Sequence, residues 1–275
     1  SMRKLGNCEL FVKELARLLP EAHDLALIRL PELSIRPCTG CYRCLGTGTC
    51  PQKDDVDFVI KNIAESDAVI IAAPVYFLGA HGSIKNLLDR AFSFYGSVPA
   101  LQGKRCILAA TYGMPRKVGT AEQTLRTLAA ILCLDVVASV RLHCALPGEV
   151  LTKAACRQAA VRLAPLLFGE RRNKKSKGGC PFCGNDIVRI AGEGVICTLC
   201  HGRFSLDKGR PVKGAEGWPI GQPRFVREHT EWLMGMRDRF IREKKALLRL
   251  SLPYKEMGTW LRPGPAEDPD SESSR

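Results

Sequence analysis

Two uninterrupted apolar runs restrict the architectures open to this chain more than any other feature. Ala68-Val69-Ile70-Ile71-Ala72 and Cys106-Ile107-Leu108-Ala109-Ala110 contain no polar residue. A strand points successive side chains to opposite faces, so it can be apolar throughout only where both faces are covered. Between the runs lie helical stripes: Phe11, Leu15, Leu18 and Leu19, then Leu125, Leu128, Ala129 and Leu132, recur at the 3.6-residue period. Asp55 to Ala64, Ser83 to Phe94 and Leu151 to Leu167 read as further helices, with Ser83 and Thr120 as N-caps. Leu25 to Leu30 and Val136 to Val140 are weaker strand candidates. Alternation of this kind specifies an α/β fold, a doubly wound parallel sheet with helices on both faces, over residues 1–168.

The composition changes abruptly after Leu167. Residues 169–179, Gly-Glu-Arg-Arg-Asn-Lys-Lys-Ser-Lys-Gly-Gly, have no apolar side chain to bury and read as a basic linker. A small domain over 180–212 follows, then a helical extension over 213–262. In the extension, Phe225, Trp232, Met236 and Phe240 fall near the helical period and predict an apolar stripe. From 263 to 275 the chain is rich in Pro, Ser, Asp and Glu and reads as a disordered tail.

The chain has 13 cysteines, and eight of them fall into two tight groups, a distribution that favours metal binding over a disulfide scaffold. The first group, Cys38, Cys41, Cys44 and Cys50, has the pattern C-x2-C-x2-C-x5-C inside a loop spanning 37–54. Three cysteines at three-residue intervals let one short loop present thiolates to several irons of a compact cluster. Single zinc ions more often draw two cysteines from each of two distant knuckles, so a [4Fe-4S] cluster suits this spacing better than zinc or a redox-active thiol loop. Gly40, Gly46 and Gly48 would let the loop bend around inorganic sulfide.

The second group, Cys180, Cys183, Cys197 and Cys200, has the pattern C-x2-C-x13-C-x2-C of a zinc ribbon, two knuckles on facing hairpins. Ile187 to Ile190 and Gly194 to Ile196 read as the intervening strands. A rubredoxin-type iron site uses similar knuckles with a longer gap, which favours zinc. His201 follows the fourth cysteine and reads as a bystander, because four thiolates already close a tetrahedron.

In open α/β sheets ligands sit beyond the carboxyl ends of the strands. Pro74-Val75-Tyr76-Phe77-Leu78-Gly79 and Thr111-Tyr112-Gly113 leave the sheet at those ends, and each offers an aromatic ring and backbone amides to a planar cofactor. Ordinary loop packing would account for either one alone. Ser1-Met2-Arg3-Lys4-Leu5-Gly6-Asn7 leads into a helix and suits a phosphate.

Taken together, residues 1–168 resemble the iron–sulfur flavoprotein branch of the NADPH-dependent FMN reductase and flavodoxin-like superfamily. The resemblance implies that Ser1, Arg3, Gly6 and Asn7 hold the FMN phosphate. It implies that Pro74, Val75, Tyr76, Phe77 and Gly79 lie along the flavin and lead into a helix carrying Lys85, Asp89 and Arg90, and that Thr111, Tyr112 and Gly113 form a second flavin loop. It also implies that Cys38, Cys41, Cys44 and Cys50 bind a four-iron cluster near FMN. That family begins with a buried strand just before the phosphate loop, for which these residues show no counterpart, so the expectation is either a sequence that starts short of that strand or a sheet that lacks its central strand. Where the family shows several glycines this chain has Tyr112, which is expected to alter access to the flavin.

The expected function is that of an FMN-dependent oxidoreductase or electron-transfer flavoprotein, fed by ferredoxin or NAD(P)H, in a homo-oligomer. No side chain stands out as a general acid or base. The formal charge of +13 suggests nucleic acid as an alternative partner for the ribbon and basic helix, with the flavodoxin-like domain as a redox sensor. Metal-bound thiolates lower that charge by about four. Much of the remainder lies in two runs, 171–177 and 237–249. The ribbon also shows no repeated aromatic platform for bases, so nucleic acid is not the favoured partner. No apolar run of spanning length and no signal segment is present, which gives the expectation of a cytoplasmic protein with no membrane partner.

Overall fold

The computed structural model describes residues 1–20, 22–169, 179–192 and 194–252. Most of the expected linker, residues 253–262 of the expected extension and the whole expected tail lie outside them. The chain separates into two compact units, Ser1–Glu231 and Trp232–Arg275.

Helix α1 (Asn7–Arg17) is followed by an irregular stretch, a one-turn helix α2 (Cys44–Thr47), α3 (Val56–Glu65), strand β1 (Ala68–Tyr76), a short β2 (Gly79–Ala80) and α4 (Gly82–Asp89). A 3-10 turn over Ala91–Ser97 leads to α5 (Val98–Leu101), β3 (Arg105–Tyr112), α6 (Ala121–Ile131), β4 (Asp135–His143), α7 (Glu149–Thr152) and α8 (Ala154–Leu163). Strands β1, β3 and β4 pair in parallel, with Ile70 opposite Ile107 and Cys106 opposite Val136, and β2 folds back antiparallel on β1. This is the flavodoxin-like sheet that the apolar runs specify.

The core lies on both faces of that sheet. Phe11 and Leu15 of α1 pack with Ile107, Ala109, Leu163 and Leu167 on one face, and Leu125, Leu128 and Leu132 pack with Cys106, Leu108 and Phe94 on the other. Ile107, Leu108, Leu125 and Leu132 are fully buried, each contributing roughly 1.5–3 kcal/mol of transfer free energy.

Four local expectations need correction. Leu25 to Leu30 forms no strand; Leu25 and Leu27 are exposed, and the stretch ends in a 3-10 turn at Leu30–Glu32. A cavity of about 930 Å³, lined by residues 22–32 on one side and 68–73 on the other, separates this stretch from the near edge of β1, so it has no ladder to join. For the same reason Ala68 to Ala72, expected to be buried on both faces, is only half-buried, whereas Cys106 to Ala110 is covered completely. The helix expected over Leu151 to Leu167 is interrupted at Lys153, whose backbone is extended. The N-cap near residue 83 is His81, whose ring nitrogen accepts from the Ser83 N–H at 3.2 Å.

The small domain is a four-stranded antiparallel sheet in the order β5 (Val188–Ala191), β6 (Gly194–Cys197), β7 (Arg203–Asp207), β8 (Arg210–Ala215). Its first hairpin matches the sequence reading. The second was missed, although Lys208 and Gly209, both with positive φ, make the two-residue turn such a hairpin requires. The Gln123 Nε2 to Thr198 Oγ1 hydrogen bond of 2.8 Å and an Arg141–Asp186 ion pair attach this sheet to the larger one. A long helix α9 (Pro223–Ser251) ends the described chain. Phe225 at its start is buried in the core beside α6, while Trp232, Met236 and Phe240 belong to the second unit.

Candidate functional site

The N-terminal loop is drawn tight before α1. Gly6 N–H donates to the Arg3 carbonyl at 3.3 Å, and a Cβ at Gly6 would stand 3.1 Å from that oxygen, so glycine permits the close turn. Arg3 N–H donates to Ser1 Oγ at 3.3 Å. Asn7 faces the strand ends: its Nδ2 donates to the carbonyls of Leu146 (2.9 Å) and Cys144 (3.4 Å), and its Oδ1 accepts from Val150 N–H (3.2 Å). Asn7 therefore joins the loop before α1 to the loop after β4. Cys8 adds a second tie, its sulfur 3.1 Å from Thr111 Oγ1 at the end of β3. Burial pushes the Cys8 thiol pKa up, so it stays protonated.

Pro74, Val75 and Tyr76 are the last residues of β1, and Gly79 is opposite Tyr76 across a two-residue turn. Phe77 and Leu78 make that turn with φ of 47° and 65°, the left-handed conformation favoured by glycine, and Phe77 is fully exposed. The turn is held from behind: Leu78 carbonyl accepts from Thr120 N–H at 2.7 Å, and a Cβ on Gly119 would lie 2.0 Å from that carbonyl. The Tyr76 ring lies against His81 with centroids 5.4 Å apart, and Tyr112 lies against His143 at the same separation. His143 Nε2 is 3.0 Å from the Gly113 carbonyl. Burial, then the nearby N-terminal ammonium of Ser1, pushes the His81 pKa down. The sequence reading missed both histidines, because a lone histidine beyond a strand end has no spacing signature.

The sulfurs of Cys180, Cys183, Cys197 and Cys200 all lie within 4.8 Å of one another, with Cys180–Cys200 and Cys183–Cys197 each at 3.6 Å. Tetrahedral zinc with Zn–S bonds of about 2.3 Å sets its sulfurs roughly 3.8 Å apart, so the donor set fits one zinc ion. Leu199 N–H and Gly202 N–H point at the Cys197 and Cys200 sulfurs, both at 3.4 Å, as knuckle amides do. Asn185 was also missed. It is completely buried, and its Nδ2 donates to the Ile187 carbonyl (2.8 Å) and approaches Cys197 Sγ (3.7 Å). His201 is exposed, with its ring against Trp218, and is not among the four ligands.

Cys38, Cys41, Cys44 and Cys50 are on one loop with left-handed backbone at Gly40, Tyr42 and Gly48. Cys38 and Cys41 are exposed and Cys44 and Cys50 half-exposed, so the site opens to solvent. Burial, then the nearby Cys50, Cys41 and Cys38, pushes the Cys44 pKa up. They do not form a group as tight as the C-terminal four. A four-iron cluster would take its ligands at separate corners, so these four thiols need not converge on one point to hold one. The neck of the loop is closed by Ser34 N–H to Asp55 Oδ2 (2.7 Å) and Arg36 N–H to Asp54 Oδ2 (3.0 Å).

Residues 1–144, just over half the chain, match the family of NADPH-dependent FMN reductases. The chain belongs to that family. An iron-sulfur flavoprotein of Archaeoglobus fulgidus is 36% identical over 122 residues, covering 43% of this chain and 55% of that protein. One from Methanocaldococcus jannaschii is 39% identical over 92 residues, 33% of this chain and 48% of that protein. An FMN-dependent NADH:quinone oxidoreductase of Shewanella frigidimarina is 32% identical over 84 residues, 28% of this chain and 43% of its own. The chain thus spans about half the length of the curated relatives it matches. Among solved structures, a flavone reductase superposes with a TM-score of 0.66 at 16% identity, covering 94% of each chain, a likeness of fold. Among the described residues no helix is long and apolar enough to cross a membrane.

Proposed function

We propose that this member of the family is an FMN-dependent oxidoreductase that moves electrons between a [4Fe-4S] cluster on Cys38, Cys41, Cys44 and Cys50 and an FMN beyond the ends of β1 and β3, with the ribbon cysteines holding structural zinc. The observation that carries the reading is the convergence of three loops. Asn7 and Cys8 tie the N-terminal loop to the ends of β4 and β3, and Ser1 lines the same cavity as His81, which lies beside Tyr76.

Ser1, Arg3 and the free N–H groups at the start of α1 would bind the FMN phosphate. Gly6 permits the close turn, and Asn7 positions the loop through its three hydrogen bonds. Tyr76 and Phe77 would bound one side of the ring, with Pro74, Val75 and Gly79 setting the hairpin that carries them, and Thr111, Tyr112 and Gly113 the other. When bound, FMN couples one-electron and two-electron transfer. The His81 ring, whose pKa burial pushes down, would lie near the flavin as a group able to exchange a proton. Ferredoxin or NAD(P)H is the proposed donor, and a cytoplasmic homo-oligomer the proposed setting; relatives named as iron-sulfur flavoproteins and as an NADH:quinone oxidoreductase support the chemistry.

Full-length protein reconstituted without oxygen, with iron, sulfide, zinc and flavin assayed per chain, tests this reading. The expected product is brown and contains FMN, about four irons with matching sulfide, and about one zinc. A colourless protein holding zinc alone would overturn it.

A further inference from the structure

Arg90 is among the most deeply buried charged residues described, 2% exposed at the end of α4. Its guanidinium forms a forked ion pair with Asp54, Nη1 to Oδ2 at 2.5 Å and Nη2 to Oδ1 at 3.3 Å, with both side chains 1% exposed. Nη1 also donates to the Arg36 carbonyl at 2.9 Å, and the guanidinium interacts favourably with Cys50, four residues before Asp54. Asp54 in turn accepts from the N–H groups of Arg36 and Val56. One ion pair therefore grips both sides of the neck of the cysteine loop, four residues from Cys50. Beyond it, Gly96 in the turn after Arg90 meets Gly48 of the loop so closely that a Cβ would stand 3.1 Å from the Gly48 carbonyl.

Stability alone is a poor reason for this arrangement. Buried ion pairs lose in desolvation much of what they gain in attraction, and well-packed apolar pairs often replace them at no loss. Its position beside Cys50 supplies another reason. A cluster with four thiolates carries net negative charge, and one-electron reduction makes it more negative by one. A fixed cation and an N–H donor at a ligand sulfur favour the reduced form and hold the ligand in place.

We infer that Arg90, pinned by Asp54, is the positioning residue of the first cysteine site, closing the loop neck and raising the reduction potential of the cluster through Cys50. The second half rests on the iron–sulfur reading given above; the first half does not. The test uses the full-length chain as wild type, Arg90→Met, Arg90→Lys and the double variant Asp54→Leu/Arg90→Met. Hydrogen exchange over residues 37–53 of the metal-free proteins reads loop closure. Iron release to a chelator and an EPR-monitored dithionite titration, in which dithionite supplies the electron, read the reconstituted proteins.

Arg90→Met is expected to speed exchange across the neck, to speed iron release by about 10–100-fold, and to move the potential to more negative values. Arg90→Lys keeps the charge but not the fork, and is expected to release iron faster with a smaller change in potential. The double variant leaves no unpaired buried charge, so it is expected to have an unfolding midpoint above that of Arg90→Met while retaining the lowered potential, which separates tuning from folding even if the single variant is unstable. A wild-type cluster whose potential and release rate are unchanged by Arg90→Met and by the double variant would overturn the tuning role. Unchanged exchange over 37–53 would overturn the clamp. A wild type that takes up no iron would sink the cluster reading and the tuning with it, while exchange still decides the clamp.

Discussion

At the residue scale the candidate site depends on side chains that join segments distant in sequence. Asn7 makes three hydrogen bonds to backbone groups of residues 144–150, more than 130 residues away, and it shares the Leu146 carbonyl with the Glu149 N–H. Removing the amide takes these hydrogen bonds from the Cys144 carbonyl and the Val150 N–H, at a cost of about 1–3 kcal/mol. Asn7→Ala is expected to lower the thermal midpoint by several degrees and weaken FMN binding in a fluorescence titration. Asn7→Asp is expected to be worse, since a carboxylate would face two carbonyl oxygens. An Asn7→Ala protein with unchanged midpoint and FMN affinity would show that the loop is held by other contacts. Asp54 follows the same logic in charge form: burial alone would raise its pKa, but the Arg90 guanidinium and the Arg36 and Val56 N–H groups hold it below the usual carboxylate range.

At the element scale, the β1–β2 hairpin stores backbone strain where it approaches the proposed flavin. Two consecutive non-glycine residues, Phe77 and Leu78, adopt positive φ, a conformation that persists only when neighbours enforce it. Gly119 and Thr120 enforce it from the start of α6 through the Leu78 carbonyl. Gly119 itself has φ +54° and no room for a methyl group. Gly119→Ala is therefore expected to destabilise the fold by about 2–3 kcal/mol and release the turn, seen as faster hydrogen exchange at residues 76–80. Wild-type exchange there would show that the turn needs no clasp. Phe77→Gly tests the strain from the other side: it should leave stability unchanged or raised while weakening FMN binding, if the exposed ring serves the cofactor.

At the scale of the whole molecule, the two sheets have different sources of stability. The parallel sheet carries two extensive buried clusters, one on each face. Among the described residues the small sheet has a buried hydrophobic core of six, Cys180, Val195, Cys197, Leu199, Cys200 and Phe204, and three of them belong to the four-cysteine group that fits a zinc ion. Domains with so little core fold on their metal. Zinc removal by a chelator is expected to abolish exchange protection over 180–215 while leaving β3 and α6 protected. Retained protection in the metal-free ribbon would mean that docking through Gln123, Arg141 and Thr198 suffices to hold it.

The linear sequence was sufficient for features set by local periodicity and spacing. Alternating apolar runs and helical stripes specified β1, β3, β4, α1 and α6, and the C-x2-C knuckles specified the ribbon site, because each depends on residues within a few positions of one another. Tertiary structure alone decided the rest. Leu25 to Leu30 has the composition of a strand, but a strand exists only with a partner in hydrogen-bonding range, and the edge of β1 lies across a cavity. Arg90 reads in sequence as part of the helix expected over Ser83 to Phe94, which the resemblance leads out of the flavin loop; its burial against Asp54, 36 positions earlier, makes it the clamp of the cysteine loop. Covalent neighbours fix torsion preferences and side-chain period, whereas pairing, burial and the electrostatic partner of a charge are properties of segments brought together only by folding.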